Sequence, residues 1–93
     1  MKQKPNYCPM PEDLSAVALD PAVAALAERL ARNVHEAWAA RRLEEGWRYG
    51  ERRDDAERRH PCLVPYEELT ESERACDRLT VERTLKAAVK LGC

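Results

Sequence analysis

The stretch that decides the fold runs from Asn33 to Asp55 and reads NVHEAWAARRLEEGWRYGERRDD. It holds both tryptophans of the chain, one of its two histidines and two of its three glycines. An amphipathic helical pattern precedes it, and Gly46 is the kind of residue that ends a helix in the left-handed conformation. The stretch therefore predicts the end of one long helix and the beginning of a charged connection.

The first helix is predicted over residues 21–45. Asp20 suits the N-cap because its carboxylate accepts hydrogen bonds from free backbone N–H groups, and Pro21 fits the first helical position. Apolar residues then recur at steps of three and four, which indicates one buried stripe. The members of this stripe are Val23, Leu26, Ala27, Leu30, Val34, Ala37 and Trp38.

A second long helix is predicted over residues 70–91. Thr70 and Glu73 have the spacing of a capping box, in which each side chain bonds the backbone N–H of the other residue. Gly92 is placed to end this helix. The side chains predicted to line its buried face are Ala75, Cys76, Leu79, Thr80, Leu85, Ala88 and Val89. The pattern as a whole predicts a mainly α-helical fold with a long ordered loop between the helices.

Length and composition narrow the class of protein. The 93 residues are predicted to form one domain, 1–93, with an extended, proline-containing arm over 1–14. A formal charge of −1 with 35% charged residues indicates a mixed surface, which argues against a nucleic-acid-binding protein. No apolar run approaches the roughly 18 residues of a membrane span, and no signal peptide is recognisable. We therefore expect a cytoplasmic protein.

The sequence offers little that supports catalysis or metal binding. His35-Glu36 begins like the H-E-x-x-H zinc motif, but Ala39 stands where the second histidine is needed. The two serines, Ser15 and Ser72, lie in no nucleophile motif, and the glycines form no phosphate-binding loop. The cysteines form no C-x-x-C and are predicted to be reduced: Cys8, Cys62, Cys76 and Cys93. We predict no enzymatic activity, no cofactor and no metal ion.

The aromatic and basic side chains leave two interpretations open. Trp38 and Trp47 are either core residues or exposed ring faces. The seven arginines and six acidic residues between positions 41 and 60 either form a solvated surface or include arginines that lie beside rings to receive an anion. His35, Trp38 and Arg42 follow one edge of the stripe at helical spacing, where Arg42 can lie beside the indole of Trp38.

Several of these segments together resemble the RyR domain, the repeat found in ryanodine receptors and in small bacterial proteins. The segments that carry the resemblance are PMPEDLS at 9–15, NVHEAW at 33–38, GWRYG at 46–50, RDD at 53–55, HPCLVPY at 60–66, and residues 84–86 and 91–93. The resemblance implies two long antiparallel helices joined by a long ordered loop, with short extended or β pieces.

The resemblance also implies a function, which is a non-enzymatic ligand-sensing or interaction module. In ryanodine receptors the repeats occur as tandem pairs, and the cleft of a pair looks able to take an adenine nucleotide beside residues that match Trp38 and Arg42. We therefore expect a homodimer and a nucleotide-like ligand. The expected binding residues are Asn33, His35, Trp38, Arg42 and Arg53.

The sequence leaves two other functions open. The first alternative is a protein interaction domain without a small ligand, in which the tryptophans and arginines only pack. The second is a hydrolase that acts on a nucleotide.

Overall fold

The computed structural model of the protein describes residues 6–92 and is mainly α-helical, as predicted. Two long antiparallel helices, α2 and α3, are joined by an ordered connection that contains two very short strands. The elements in chain order are α1 (Pro21–Ala24), α2 (Ala27–Glu44), β1 (Arg48–Tyr49), β2 (Arg59–His60), a 3-10 helix (Tyr66–Glu68) and α3 (Glu71–Lys90). Residues 1–5 of the predicted arm and Cys93 lie outside the described residues.

The first predicted helix is divided into α1 and α2. Asp20 caps α1 as predicted, and its Oδ1 accepts from the Ala22 N–H at 2.8 Å. The chain then leaves α-helical geometry at residues 25 and 26, where the Leu26 N–H donates to the Val23 carbonyl. Such i→i−3 bonds wind the chain more tightly than an α-helix does. The apolar stripe is therefore not continuous across this turn.

The face that α2 buries differs from the predicted stripe. Ala27, Ala31 and His35 are buried, whereas Leu26 and Val34 are 45% and 48% exposed. The two alanines leave room for close approach by α3 and the connection, and close packing favours that side of the helix. Of the predicted stripe, Val23, Ala27, Leu30 and Trp38 are at least half-buried, and Leu26, Val34 and Ala37 are exposed.

The core draws its largest side chain from the connection. Tyr66, only 1% exposed, packs with Ala31, Leu69 and Val81. Partly buried side chains surround this cluster: Leu30, Cys62, Val64 and Leu85. The face predicted for α3 is confirmed at Leu85 and Ala88, which are partly buried, and the fully buried residue of the helix is Val81. The prediction is wrong at the exposed residues Ala75, Cys76, Leu79, Thr80 and Val89.

The C-terminus of α2 ends as predicted at Gly46, whose φ is +91°. The Gly46 N–H donates to the Leu43 carbonyl at 3.1 Å, and the Trp47 N–H donates to the Arg42 carbonyl at 2.9 Å. This pair of bonds is a Schellman motif. Arg58 donates to the Glu45 carbonyl at 2.6 Å and so satisfies a further free group at this helix end.

The strands β1 and β2 are parallel, with Arg48 opposite Arg59 and Tyr49 opposite His60. Gly50 follows β1 at a point of close approach, where a Cβ atom would lie 2.7 Å from the Cβ of Arg59. Only glycine fits there without displacing the neighbouring strand. The pairing places His60 against the end of α2.

Several polar contacts fix α3 relative to the rest of the fold. Arg78 bridges Glu28 of α2 and Glu71 of α3, with a distance of 2.9 Å from its Nη1 to the Glu28 carboxylate. Near the other end of α3, Lys90 donates to the Asp13 carbonyl of the arm at 3.0 Å. Among residues 6–92, no helix is both long and apolar enough to cross a membrane.

The capping box at the start of α3 is confirmed. The Glu73 N–H donates to the Thr70 hydroxyl at 3.1 Å, and the Thr70 N–H donates to the Glu73 carboxylate at 2.9 Å. These bonds satisfy two donors that the helix itself leaves free.

Removal of this cap is expected to destabilise the protein. Thr70→Ala should lower the free energy of unfolding by about 1 kcal/mol, the usual cost of losing an N-cap hydroxyl. Thr80→Ala is the matched control, because the Thr80 hydroxyl bonds only to the Cys76 carbonyl within α3, and alanine is a better helix former. Urea denaturation measures both variants. Equal stability of the two variants would contradict a stabilising role for the box.

Candidate functional site

An open groove of about 380 Å³ lies between α2 and α3, beside Trp38. Its lining is largely apolar, and two carboxylates stand on its α3 side. The lining residues are Val34, His35 and Trp38 of α2, His60, Cys62 and Leu69 of the connection, and Glu73, Cys76 and Asp77 of α3. We refer to this cavity as the α2–α3 groove.

Aromatic rings connect the groove to the C-terminus of α2. The Trp38 and His60 rings meet edge to face with centroids 5.0 Å apart, and the centroid of the Trp47 ring lies 6.2 Å from that of His60. Arg42 places its guanidinium carbon 5.5 Å from the centroid of Trp47. The sequence predicted Arg42 beside Trp38 instead. The Schellman motif explains the difference, because it folds Trp47 back onto the turn that carries Arg42.

His35 is buried in the structure, with 5% of its surface exposed, although the sequence placed it away from the centre of the buried stripe. Its Nε2 donates to the Val64 carbonyl at 2.7 Å, and its ring lies 5.6 Å from Trp38 and 6.1 Å from Tyr66. His35 therefore forms part of the groove wall while its Nε2 proton is held by the connection.

The other two residues expected at the site lie apart from the groove lining. Asn33 is exposed and borders a shallow depression on α2 with Leu26 and Arg29. Arg53 is exposed on the connection, and its Nε donates to Asp55 at 2.8 Å. The structure brings His35 and Trp38 together in the groove, whereas Arg42 and Arg53 flank it and Asn33 does not join it.

His60 stands at the centre of this arrangement, although the sequence analysis named it only within the 60–66 segment and not among the expected binding residues. Its Nδ1 accepts from the Cys62 N–H at 3.0 Å, which leaves the proton of the neutral ring on Nε2. Burial lowers the pKa of His60, and the positive charges of Arg53 and Arg42 lower it further. The two arginines are therefore close enough to His60 to act on it electrostatically.

Two carboxylates on α3 differ in how far their hydrogen-bonding capacity is used. Glu73 accepts from the Thr70 N–H and hydroxyl, and the Cys62 thiol donates to its other oxygen at 3.0 Å. These hydrogen bonds lower the pKa of Glu73, and the bond from the Cys62 thiol has the largest effect. Burial and the Glu73 carboxylate in turn raise the pKa of Cys62 to about 11. Asp77, one turn later, forms no hydrogen bond or ion pair with any residue between 6 and 92.

The cysteines and acids of the described chain do not make a metal centre. Within residues 6–92, no three histidine, cysteine, aspartate or glutamate side chains are grouped closely enough to hold a metal ion. Cys8, Cys62 and Cys76 are free thiols. The groove therefore offers rings, carboxylates and flanking guanidinium groups, which are the means of binding an organic ligand.

Comparison with protein families gives a match that extends over nearly the whole chain. The model of the RyR domain family matches residues 7–93. The match includes the two long helices, the connection and every residue that lines the α2–α3 groove.

Histidine titration tests the electrostatics of the groove. We expect NMR to give His60 a pKa below its usual 6.5, and Arg53→Gln to raise that pKa because one of the two nearby positive charges is lost. Arg52→Gln removes a positive charge at the neighbouring position. It is the control and should leave the His60 pKa unchanged. Since the unfolded chain takes up this proton first, the free energy of unfolding should fall as pH drops through 6.5. A His60 pKa above 6.5 would show that the ring is not held as described.

Proposed function

The chain belongs to the RyR domain family, and we propose that it is a non-enzymatic binding module whose α2–α3 groove receives a nucleotide-like ligand. Membership of this family indicates an interaction or regulatory role. The identity of the ligand is our own inference from the chemistry of the groove and of the side chains beside it.

The observation that carries the proposal is the apolar groove beside the Trp38 ring. Its volume of about 380 Å³ falls in the range of roughly 300–1,000 Å³ typical of small-molecule sites. Trp38 is half-buried, and His60 supports it from the side at 5.0 Å. A ring held in this way loses little freedom when a flat base stacks on it, and such stacking contributes roughly 1–3 kcal/mol per base.

The arginines that flank the groove support a phosphate-bearing ligand. Arg42 pairs with Glu45 and Arg53 pairs with Asp55, and all four side chains are at least 40% exposed. Ion pairs as exposed as these contribute little to stability, so a phosphate can replace the carboxylates at low cost. The guanidinium group binds phosphate through two parallel hydrogen bonds. We propose that the base enters the groove and that the phosphate is held by Arg42 or Arg53.

The residues expected from the sequence thus have different roles in the proposed site. Trp38 stacks on the base, and Arg42 and Arg53 bind the anion. His35 supports the wall without contributing its Nε2 proton, which Val64 already receives. Asn33 is left out because it borders a different depression.

We also propose that two copies of the chain pair through α2. Leu26, at the N-cap of α2, and Val34 and Ala37 within the helix form an exposed apolar strip along one side, and Val34 also lines the groove. An isologous pair is the commonest way to cover such a surface. Arg29 and Glu44 lie near opposite ends of the same side, about four turns apart. An antiparallel pair of α2 helices therefore brings opposite charges together at both ends. The same strip is what favours protein interaction as the alternative function.

Calorimetry with AMP, ADP, ATP and cyclic AMP tests the proposed ligand. We expect at least one nucleotide to bind, and Arg42→Gln to weaken it by about tenfold through loss of a charged hydrogen bond. Arg41→Gln is the matched control, since Arg41 also pairs with Glu45 but is 81% exposed, whereas Arg42 lies beside the Trp47 ring. Trp38→Phe keeps a ring for packing and should weaken stacking.

The absence of binding by any of these nucleotides at millimolar concentration would remove the nucleotide proposal and favour the protein interaction domain. If Arg41→Gln and Arg42→Gln change the nucleotide affinity equally, Arg42 does not bind the phosphate.

Sedimentation velocity tests the proposed pairing. The parent protein should sediment as a dimer at high micromolar concentration, and Leu26→Glu should shift it to monomer because it places a charge in the apolar strip. Leu43→Glu is the control, since Leu43 is similarly exposed on α2 but points to another side. A monomeric parent protein would refute the pairing and leave the groove proposal unaffected.

A further inference from the structure

Asp77 is a groove carboxylate that has no partner among residues 6–92. Its side chain is half-buried and lines the α2–α3 groove, yet it forms no hydrogen bond or ion pair within the described chain. Glu73 stands one turn earlier on the same face of α3, and both its oxygens accept hydrogen bonds, from Thr70 and Cys62. The structural requirement for a carboxylate at the start of α3 is therefore met by Glu73, and Asp77 is free to bind something else.

The surroundings of Asp77 favour a ligand that donates hydrogen bonds. Trp38, Val34 and Cys76 make the groove around it largely apolar, and a partly desolvated carboxylate there gains more from a donor than it does in water. His60 faces the groove as a neutral ring, since its pKa is lowered by burial and by Arg53 and Arg42. Within the groove itself, then, no cation of the described chain neutralises the two carboxylates.

Charges of both signs surround His60. Glu73 and Asp77 line the groove, and Arg42 and Arg53, which are outside its lining, are near enough to lower the His60 pKa. A ligand that uses both sets of side chains carries hydrogen-bond donors on its ring system and a negative charge elsewhere. Among planar heteroaromatic rings, an exocyclic amino group provides two such donors.

We infer that Asp77 selects, at the binding site proposed above, for a base that carries an exocyclic amino group. The inference rests on the proposed function and adds a specificity-determining residue to it. The carboxylate accepts a hydrogen bond from the amino group. A ring that carries an oxo group at the same position turns an acceptor towards Asp77, and two acceptors without a proton between them repel each other.

The test compares AMP with IMP, in which an oxo group replaces the amino group and the neighbouring ring nitrogen carries a proton. Calorimetry on the full chain should show AMP binding at least about tenfold more tightly than IMP. In Asp77→Asn this ratio should fall towards one, because the carboxamide can accept from an amino group or donate to an oxo group. Glu82→Gln is the control, since Glu82 is a half-buried α3 carboxylate that borders the arm rather than the groove.

Each outcome bears on the inference separately from the proposed function. A collapse of the AMP-to-IMP ratio in Asp77→Asn alone supports it. Equal affinity of the parent protein for AMP and IMP overturns the inference but leaves the proposed nucleotide site in place. This comparison uses the parent protein alone and so does not depend on the folding of a variant. If the AMP-to-IMP ratio is unchanged in Asp77→Asn, another residue determines the selectivity and the inference is overturned. Failure of both nucleotides to bind overturns the inference and the nucleotide site together.

Discussion

The hydrogen bond from His35 to the Val64 carbonyl fixes the connection against α2, and much of the structure depends on it. A buried imidazole needs a partner, and this one finds it in the chain two residues before Tyr66. The bond thereby directs Tyr66 into the core and holds the preceding segment, with His60, against Trp38. One buried polar contact thus joins the core residue Tyr66 to the wall of the groove, because His35 contacts both.

Local signals allowed the helix ends to be predicted from the sequence. Asp20, Gly46 and the Thr70–Glu73 box each act within a few residues of chain, so the identity of the residue is nearly sufficient to determine the geometry. The turn at residues 25 and 26 escaped prediction because no glycine or internal proline marks it. The number of long helices was therefore correct, while the first of them begins later than expected.

The candidate site was harder to predict because its contacts are long-range. The face of α2 that is buried depends on where the connection packs, and hydrophobic periodicity does not predict where the connection packs. His35 was consequently misplaced, and Arg42 was assigned to Trp38 rather than to Trp47. His60 reaches the groove through strands of two residues each, too short to leave a periodic pattern. On α3, the i,i+4 spacing of Glu73 and Asp77 places two carboxylates on one face of the helix, and this spacing was the sequence signal for the α3 side of the groove.

The bond between Cys62 and Glu73 has a consequence for the chemical reactivity of the groove. The thiolate is the nucleophilic form of cysteine, and a pKa of about 11 keeps Cys62 protonated at neutral pH. Cys76 lines the same groove and is exposed. An alkylating reagent that enters the groove therefore modifies Cys76 in preference to Cys62. A molecule bound in the groove as proposed would cover that thiol, so the rate of Cys76 alkylation would measure occupancy without any label having to be engineered into the chain.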